Sequence, residues 1–264
     1  MAIVMCFPEG RHKALTLSYD DGRFADRRLV EIFNRYGLKG SFHLNSGLLG
    51  SKDRLGEDDI KPLYAGHEVS AHTLTHPSIA RCPNAQIVQE VTEDRRNLER
   101  IVGYTVRGMS YPNGSYNERI KSLLPGLGIE YARVVPSTGQ YHMPEDWLEW
   151  QPTCHHNRDL MKHAEEFVSL HKTQHLYLMY VWGHSYEFDN DNNWELMEQF
   201  GQFISGKADI WYCTNMELVD YAKAFENLRF AADLSFVYNP TAISVWLNVD
   251  GEVAVVKGGE QISL

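Results

Sequence analysis

The 264-residue sequence has no basic stripe, no long apolar run, no paired cysteines and no internal repeat. Lys and Arg number 25 against 35 Asp and Glu, a net charge of −10 at pH 7. Nucleic acid and anionic membrane surfaces draw their affinity from clustered Lys and Arg, so both are excluded as expected partners. The longest late apolar run, Leu176 to Trp182, is far short of the ~20 residues of a membrane-spanning helix. The opening run Met1–Phe7 has no cation before it and stops at Pro8-Glu9-Gly10, too short for the apolar part of a secretion signal. Cys6, Cys82, Cys154 and Cys213 are scattered, which suggests neither a zinc ribbon nor a disulfide framework. The expectation is a soluble chain in a reducing, cytoplasmic compartment.

What is present suffices for a sizeable core: 43% apolar residues and 12% aromatics. Short β-rich runs alternate with helical patterns. Strands are expected at Ala14–Ser18, Lys39–Leu44, Glu68–Ala71, Gly108–Tyr111, Ile129–Val135, Leu148–Thr153, His175–Trp182 and Ile210–Thr214. Helices are expected at Asp26–Tyr36, closed by Gly37, at Ala85–Val102 with Asn84 as N-cap, and near 117–124, 159–171, 193–204 and 216–226. This alternation implies a mainly parallel sheet, closed into a barrel or left open. From Leu228 only strands follow, with "VDGE" and "KGGE" as turns. A β appendix of that size is marginal alone, so residues 228–264 are expected to pack on a domain formed by residues 1–227.

In βα architectures polar groups gather at the strand C-terminal ends. After the first strand comes "SYDDG", with Asp20 and Asp21 side by side. After the third comes "GHEVSAHTLTHPS", whose His72 and His76, four apart, are expected on one face of a helical turn. Two imidazoles and one carboxylate make a three-ligand centre with an open position, the form of a catalytic zinc site. One aspartate would then ligate while its neighbour takes a proton from the bound water, and the cation's charge would make the adjacent pair tolerable. "SYPNG" follows the fourth strand, and "VWGHS" puts His184 at another strand tip.

These features, in this order, resemble the polysaccharide deacetylases of carbohydrate esterase family four. "LSYDDG", "HTLTH", "SYPNG" and "WGH" stand where the family has its Asp-Asp-Gly, His-x-x-x-His, Arg-x-Pro-Tyr-Gly and late His motifs. The resemblance implies a distorted (β/α) barrel of about seven parallel strands that hydrolyses acetyl groups on sugars with a divalent metal, usually zinc. It makes Asp20 the general base, Asp21, His72 and His76 the ligands, the backbone N–H of Asn113 an oxyanion donor and His184 the acid. Zn2+ is expected, and Co2+, Ni2+ or Fe2+ suit the same ligands.

Two family features are missing. Ser110 stands in place of the arginine that steadies the base, and Arg133 in "YARVV" is the expected substitute cation. The aspartate-tryptophan motif has only Asp146-Trp147 as a distant counterpart. Glu187, three residues after His184, is a candidate to orient that imidazole. His155 and His156 are candidates to touch substrate, and Tyr111, Tyr116, Trp147, Trp150 and Tyr186 to stack on sugar rings. The competing readings are hydrolysis of another non-peptide C–N bond, an amide or cyclic imide, and a metal-containing sugar-binding barrel without turnover. The oligomeric state is not legible in the sequence.

Overall fold

The computed structural model describes residues 2–264. After β1 (Ile3–Cys6) the chain alternates through β2 (Lys13–Asp20), α1 (Asp26–Tyr36), β3 (Gly40–Leu44), α2 (Glu57–Leu63), β4 (Glu68–Ala71), α3 (Asn84–Val102), β5 (Gly108–Ser110), α4 (Glu118–Leu123) and β6 (Tyr131–Arg133). It continues through β7 (Cys154–His155), α5 (Leu160–Ser169), β8 (Tyr177–Gly183), α6 (Tyr186–Asn190), α7 (Trp194–Ile204), β9 (Ile210–Tyr212) and α8 (Asn215–Glu226). The parallel sheet runs β6-β5-β4-β3-β2-β8-β7, with β9 paired to the first half of β2. All eight residues of β2 are buried, as befits a central parallel strand covered on both faces.

The sheet curls into the expected distorted barrel. The Trp150 N–H donates to the Ala132 carbonyl of β6 at 3.0 Å, while Cys154 and His155 pair with Val181 and Trp182 of β8. One short stretch therefore touches both edges of the sheet. The expected strand Leu148–Thr153 is displaced accordingly: Trp147–Glu149 form a tight turn, capped where Asp146 accepts the Leu148 N–H at 2.8 Å. Pro152 cannot donate to a ladder, and regular pairing resumes only at Cys154. Helix α2 was not expected; Pro62 lies inside it and masks the helical pattern.

The appendix holds β10 (Arg229–Phe230), β11 (Phe236–Tyr238), β12 (Val245–Val249), β13 (Glu252–Val256) and β14 (Gln261–Ser263) in two antiparallel sheets, β10-β11-β14 and β1-β12-β13. Strand β1 departs from the expected division at residue 227, because it pairs with β12 from Ile3↔Val249 to Cys6↔Trp246. A second core cluster runs from Tyr131, Trp150 and Tyr180 of the barrel through Leu218 and Tyr221 to Val237, Val245 and Leu247 of the appendix. The Tyr221 hydroxyl ties the two together, donating to the Cys6 carbonyl at 2.5 Å and accepting the Trp246 N–H at 2.9 Å.

Candidate active site

Asp20 closes β2, His72 follows β4, Ser110 closes β5, Arg133 closes β6, His155 closes β7 and His184 follows β8. Parallel strands share one direction, so these side chains collect on one rim. Asp21 has φ 85° and the next residue, Gly22, φ 63°. The left-handed turn sends the two neighbouring carboxylates into different surroundings, at a backbone cost that a non-glycine residue bears only when its neighbours hold it.

Asp20 is buried and bonded to the fully buried Arg133 guanidinium; it also accepts from the Ser110 hydroxyl at 3.0 Å and lies 3.4 Å from His43 Nδ1. Burial pushes its carboxyl pKa up, but Arg133, His72 and His43 outweigh that and hold it well below the ordinary aspartate value. The Trp182 ring covers the same guanidinium at 4.3 Å. Asp21 has cations of its own: Arg54 at 3.4 Å, which also bonds its carbonyl, and Arg23 at 4.0 Å. Separate arginines therefore stand beside the two adjacent aspartates, in addition to the metal charge the sequence suggested.

Oxygen of Asp21 and nitrogens of His72 and His76 lie within 4.8 Å of one another. The His72 Nδ1 is 2.9 Å from the Ser110 carbonyl, which can only accept, so the proton sits on Nδ1 and the Nε2 lone pair is free. Burial lowers the His72 pKa to about 4, keeping the ring neutral and ligand-competent. This donor set, two imidazoles and a carboxylate, fits a divalent transition metal. The pair is not helical as expected. Thr73 and His76 have φ 64° and 62°, and the chain loops between them to bring the rings to 4.8 Å.

The loop is held from α3. Asp94 accepts the His72 N–H at 3.0 Å and the Ser46 N–H at 2.7 Å, and Glu90 accepts the Thr75 N–H at 2.8 Å and its hydroxyl at 2.6 Å. Sequence reasoning missed both acids. Their signal was available: Glu90 and Asp94 lie four apart on the face of α3 that buries Ile87, Val91 and Leu98.

Residues 8–132 match the family model described as polysaccharide deacetylase. That segment, just under half of the chain, is similar to the polysaccharide deacetylase family. A chitin deacetylase from Pestalotiopsis sp is 29% identical over 133 residues, covering 50% of this chain and 45% of that one. The chain spans from 23% to 53% of the length of such curated relatives. Among solved structures, the Xyl-CE4 domain of a multidomain xylanase from the hindgut metagenome of Trinervitermes trinervoides superposes with a TM-score of 0.57 at 16% identity, covering 81% of this chain and 92% of that one. The family 4 carbohydrate esterase from Streptomyces lividans gives 0.53 at 16% identity, covering 76% and 92%. At such identity these two show the distorted barrel alone.

Ser110 stands where the family resemblance would put an arginine, and Arg133, one strand further along the sheet, bonds Asp20. His184 lies 3.3 Å from Glu187, and the same carboxylate is 3.1 Å from His155 Nε2 and 3.4 Å from His156 Nε2. Burial works against a charged imidazole at His184, but Glu187, with Asp20 and Asp21 behind it, raises its pKa above the ordinary value. Burial would raise the Glu187 pKa too; His155 and His184 hold it low. Asn113 sits exposed at φ 55° in the turn after β5.

Several expected substrate contacts are packing. His156 is fully buried between Tyr19 and Phe188, at ring separations of 5.7 and 4.2 Å. Tyr111 is buried, stacks on Tyr116 and donates to the Leu148 carbonyl at 2.8 Å. Trp150 packs on Tyr131 and Tyr180 in the interior, and Asp146 pairs with Lys121 at 2.8 Å. His155 is half-buried and, with Trp182, Arg158 and Glu187, lines a cavity of about 520 Å³. Tyr186 lies 5.2 Å from the His184 ring and lines a second cavity of about 440 Å³.

Proposed function

We propose that this chain removes acetyl groups, N- or O-linked, from a carbohydrate by hydrolysis at the rim formed by Asp20, Asp21, His72, His76 and His184. The observation that carries the reading is the juxtaposition of a neutral His72, His76 and Asp21 as one donor set beside a separate carboxylate, Asp20, kept ionised by Arg133. The curated relatives, a chitin deacetylase among them, support the substrate class. A divalent metal at the donor set, Zn2+ by ligand type, supplies a Lewis acid for the acyl oxygen and lowers the pKa of a water.

The chain's own residues do the rest. Ionised Asp20 accepts the proton of the attacking water, and Arg133 and Ser110 fix its carboxylate in place. The Asn113 N–H, on a turn held by the Gly114 N–H to Tyr111 carbonyl bond of 3.0 Å, donates to the developing oxyanion. His184, held protonated by Glu187, gives its proton to the departing amine or alkoxide, so no covalent intermediate is needed. Acetate release from a panel of acetylated saccharides tests the reading. Parent protein is expected to release acetate while His72→Ala/His76→Ala releases none and holds no metal; stoichiometric metal in the double variant would place the centre elsewhere.

A second expectation concerns pH. His184 must be protonated, so kcat/KM is expected to fall on the alkaline side with an apparent pKa above the usual 6.5 of histidine. Glu187 stabilises the imidazolium; Glu187→Gln should therefore move that limb to lower pH. An unmoved limb in the kcat/KM profile of the variant would show that another group sets it.

A further inference from the structure

Barrel interiors are ordinarily filled by branched apolar side chains, yet a continuous polar column runs through this one, from the catalytic rim to the opposite end. Glu68, the first residue of β4, sits at that far end, 8% exposed. Its carboxylate accepts from the Tyr131 hydroxyl at 2.7 Å, Ser70 at 2.5 Å, Ser41 at 2.7 Å and the Met216 N–H at 2.9 Å. The Tyr131 oxygen lies 3.2 Å from His43 Nε2. On the other edge of the same ring, His43 Nδ1 lies 3.1 Å from the Ser18 hydroxyl and 3.4 Å from Asp20. His43, Tyr131, Ser18, Ser41 and Ser70 are all buried.

The column has a fixed polarity. A carboxylate with four donors can only accept, so Tyr131 spends its one proton on Glu68. The tyrosine oxygen then accepts from His43 Nε2–H, which determines which edge of the imidazole faces down and leaves the Nδ1 lone pair to accept from the Ser18 hydroxyl, with the Asp20 carboxylate 3.4 Å away in contact with the ring edge. Register places His43 directly beside Asp20, as cross-strand partners in β2 and β3. A buried carboxylate with so many donors is costly to assemble, and an apolar filling would serve packing alone.

We propose that Glu68, acting through Tyr131 and His43, is a positioning residue for Asp20: the column fixes the rotation of the ring whose edge abuts the Asp20 carboxylate from below, while Arg133 and Ser110 bond it from the sides. The inference rests on the reading of Asp20 as the base. It assigns a role in turnover to a residue two hydrogen bonds and one 3.4 Å contact away from the Asp20 carboxylate, at the opposite end of the barrel.

Tyr131→Phe keeps the ring packed against Gly108 and Trp150 and removes the hydroxyl that joins Glu68, Ser70 and His43. Glu68→Gln keeps the shape and lets the side chain donate to Tyr131, reversing the polarity. Both are expected to lower kcat about tenfold, the effect of roughly 1.4 kcal/mol in the barrier, with KM changed less than twofold and metal content unchanged. In 15N-histidine-labelled protein both should shift the His43 Nε2 resonance, a readout independent of turnover. If Tyr131→Phe does not fold, Glu68→Gln carries the same comparison. Folded variants with parental kcat, where Asp20→Asn is inactive, would overturn the inference and leave the deacetylase reading standing. An active Asp20→Asn would instead remove the reading, and a His43 resonance unmoved in both variants would remove the column itself.

Discussion

Asp20→Asn is expected to retain its metal and lose kcat by about 10²–10⁴-fold with little change in KM, the signature of a missing general base. Asn keeps the shape and the contact with Ser110 but cannot take the proton of water. Asp21→Asn should do the reverse, weakening metal affinity first, because its oxygen belongs to the donor set with His72 and His76. The surroundings of the two carboxylates make the roles separable: Arg133 holds one, Arg54 and Arg23 the other. Metal content and steady-state kinetics on the two variants check this directly. Metal lost from Asp20→Asn and kept in Asp21→Asn would reverse the assignment.

Arg133→Met should destabilise the fold by about 3–5 kcal/mol, because it strands a buried carboxylate without its cation. Among the described residues, two nitrogens of this guanidinium, Nε and one Nη, have no hydrogen-bonding partner, so the pair with Asp20 and the stacking on Trp182 carry its burial. Asp20→Asn/Arg133→Met removes both charges and should recover much of the loss. The sign of the pH dependence follows from Asp20, whose folded pKa lies well below its unfolded value of about 3.9. The pair's contribution is fully present above that unfolded value and is lost as pH falls through the folded one. The stability gap between parent and Arg133→Met should therefore narrow below about pH 4. Urea denaturation at several pH values measures it, and a gap under 1 kcal/mol at neutral pH would contradict the buried-pair account.

The alternation of strands and helices was legible because each strand is a short β-rich run closed by a turn or cap residue, and the polar groups after those runs do meet at one rim. The contact of Arg133 with Asp20 was legible as well, from an arginine at a strand end in a chain whose "SYPNG" lacks the arginine of the family motif. What escaped lay in contacts between distant segments. Nothing local marks Arg54 as a neighbour of Asp21, 33 residues away. Nothing in "HTLTH" shows the left-handed residues Thr73 and His76 that replace a helical turn with a loop. Tyr111 and His156 carry chemistry-bearing groups, and only burial distinguishes them from substrate contacts. The shift of the strand after β6 turned on Pro152, whose missing N–H is visible in the sequence but whose partner strand is not.

The central claim is that a divalent metal at Asp21, His72 and His76 drives hydrolysis of an acetylated sugar. Its most direct test is acetate release by chelator-stripped protein as divalent metal is returned in fractions of an equivalent. The account predicts no release from the stripped protein, a linear recovery and a break at one metal per chain. Undiminished release from stripped protein, or none on any acetylated saccharide at full occupancy, would contradict it.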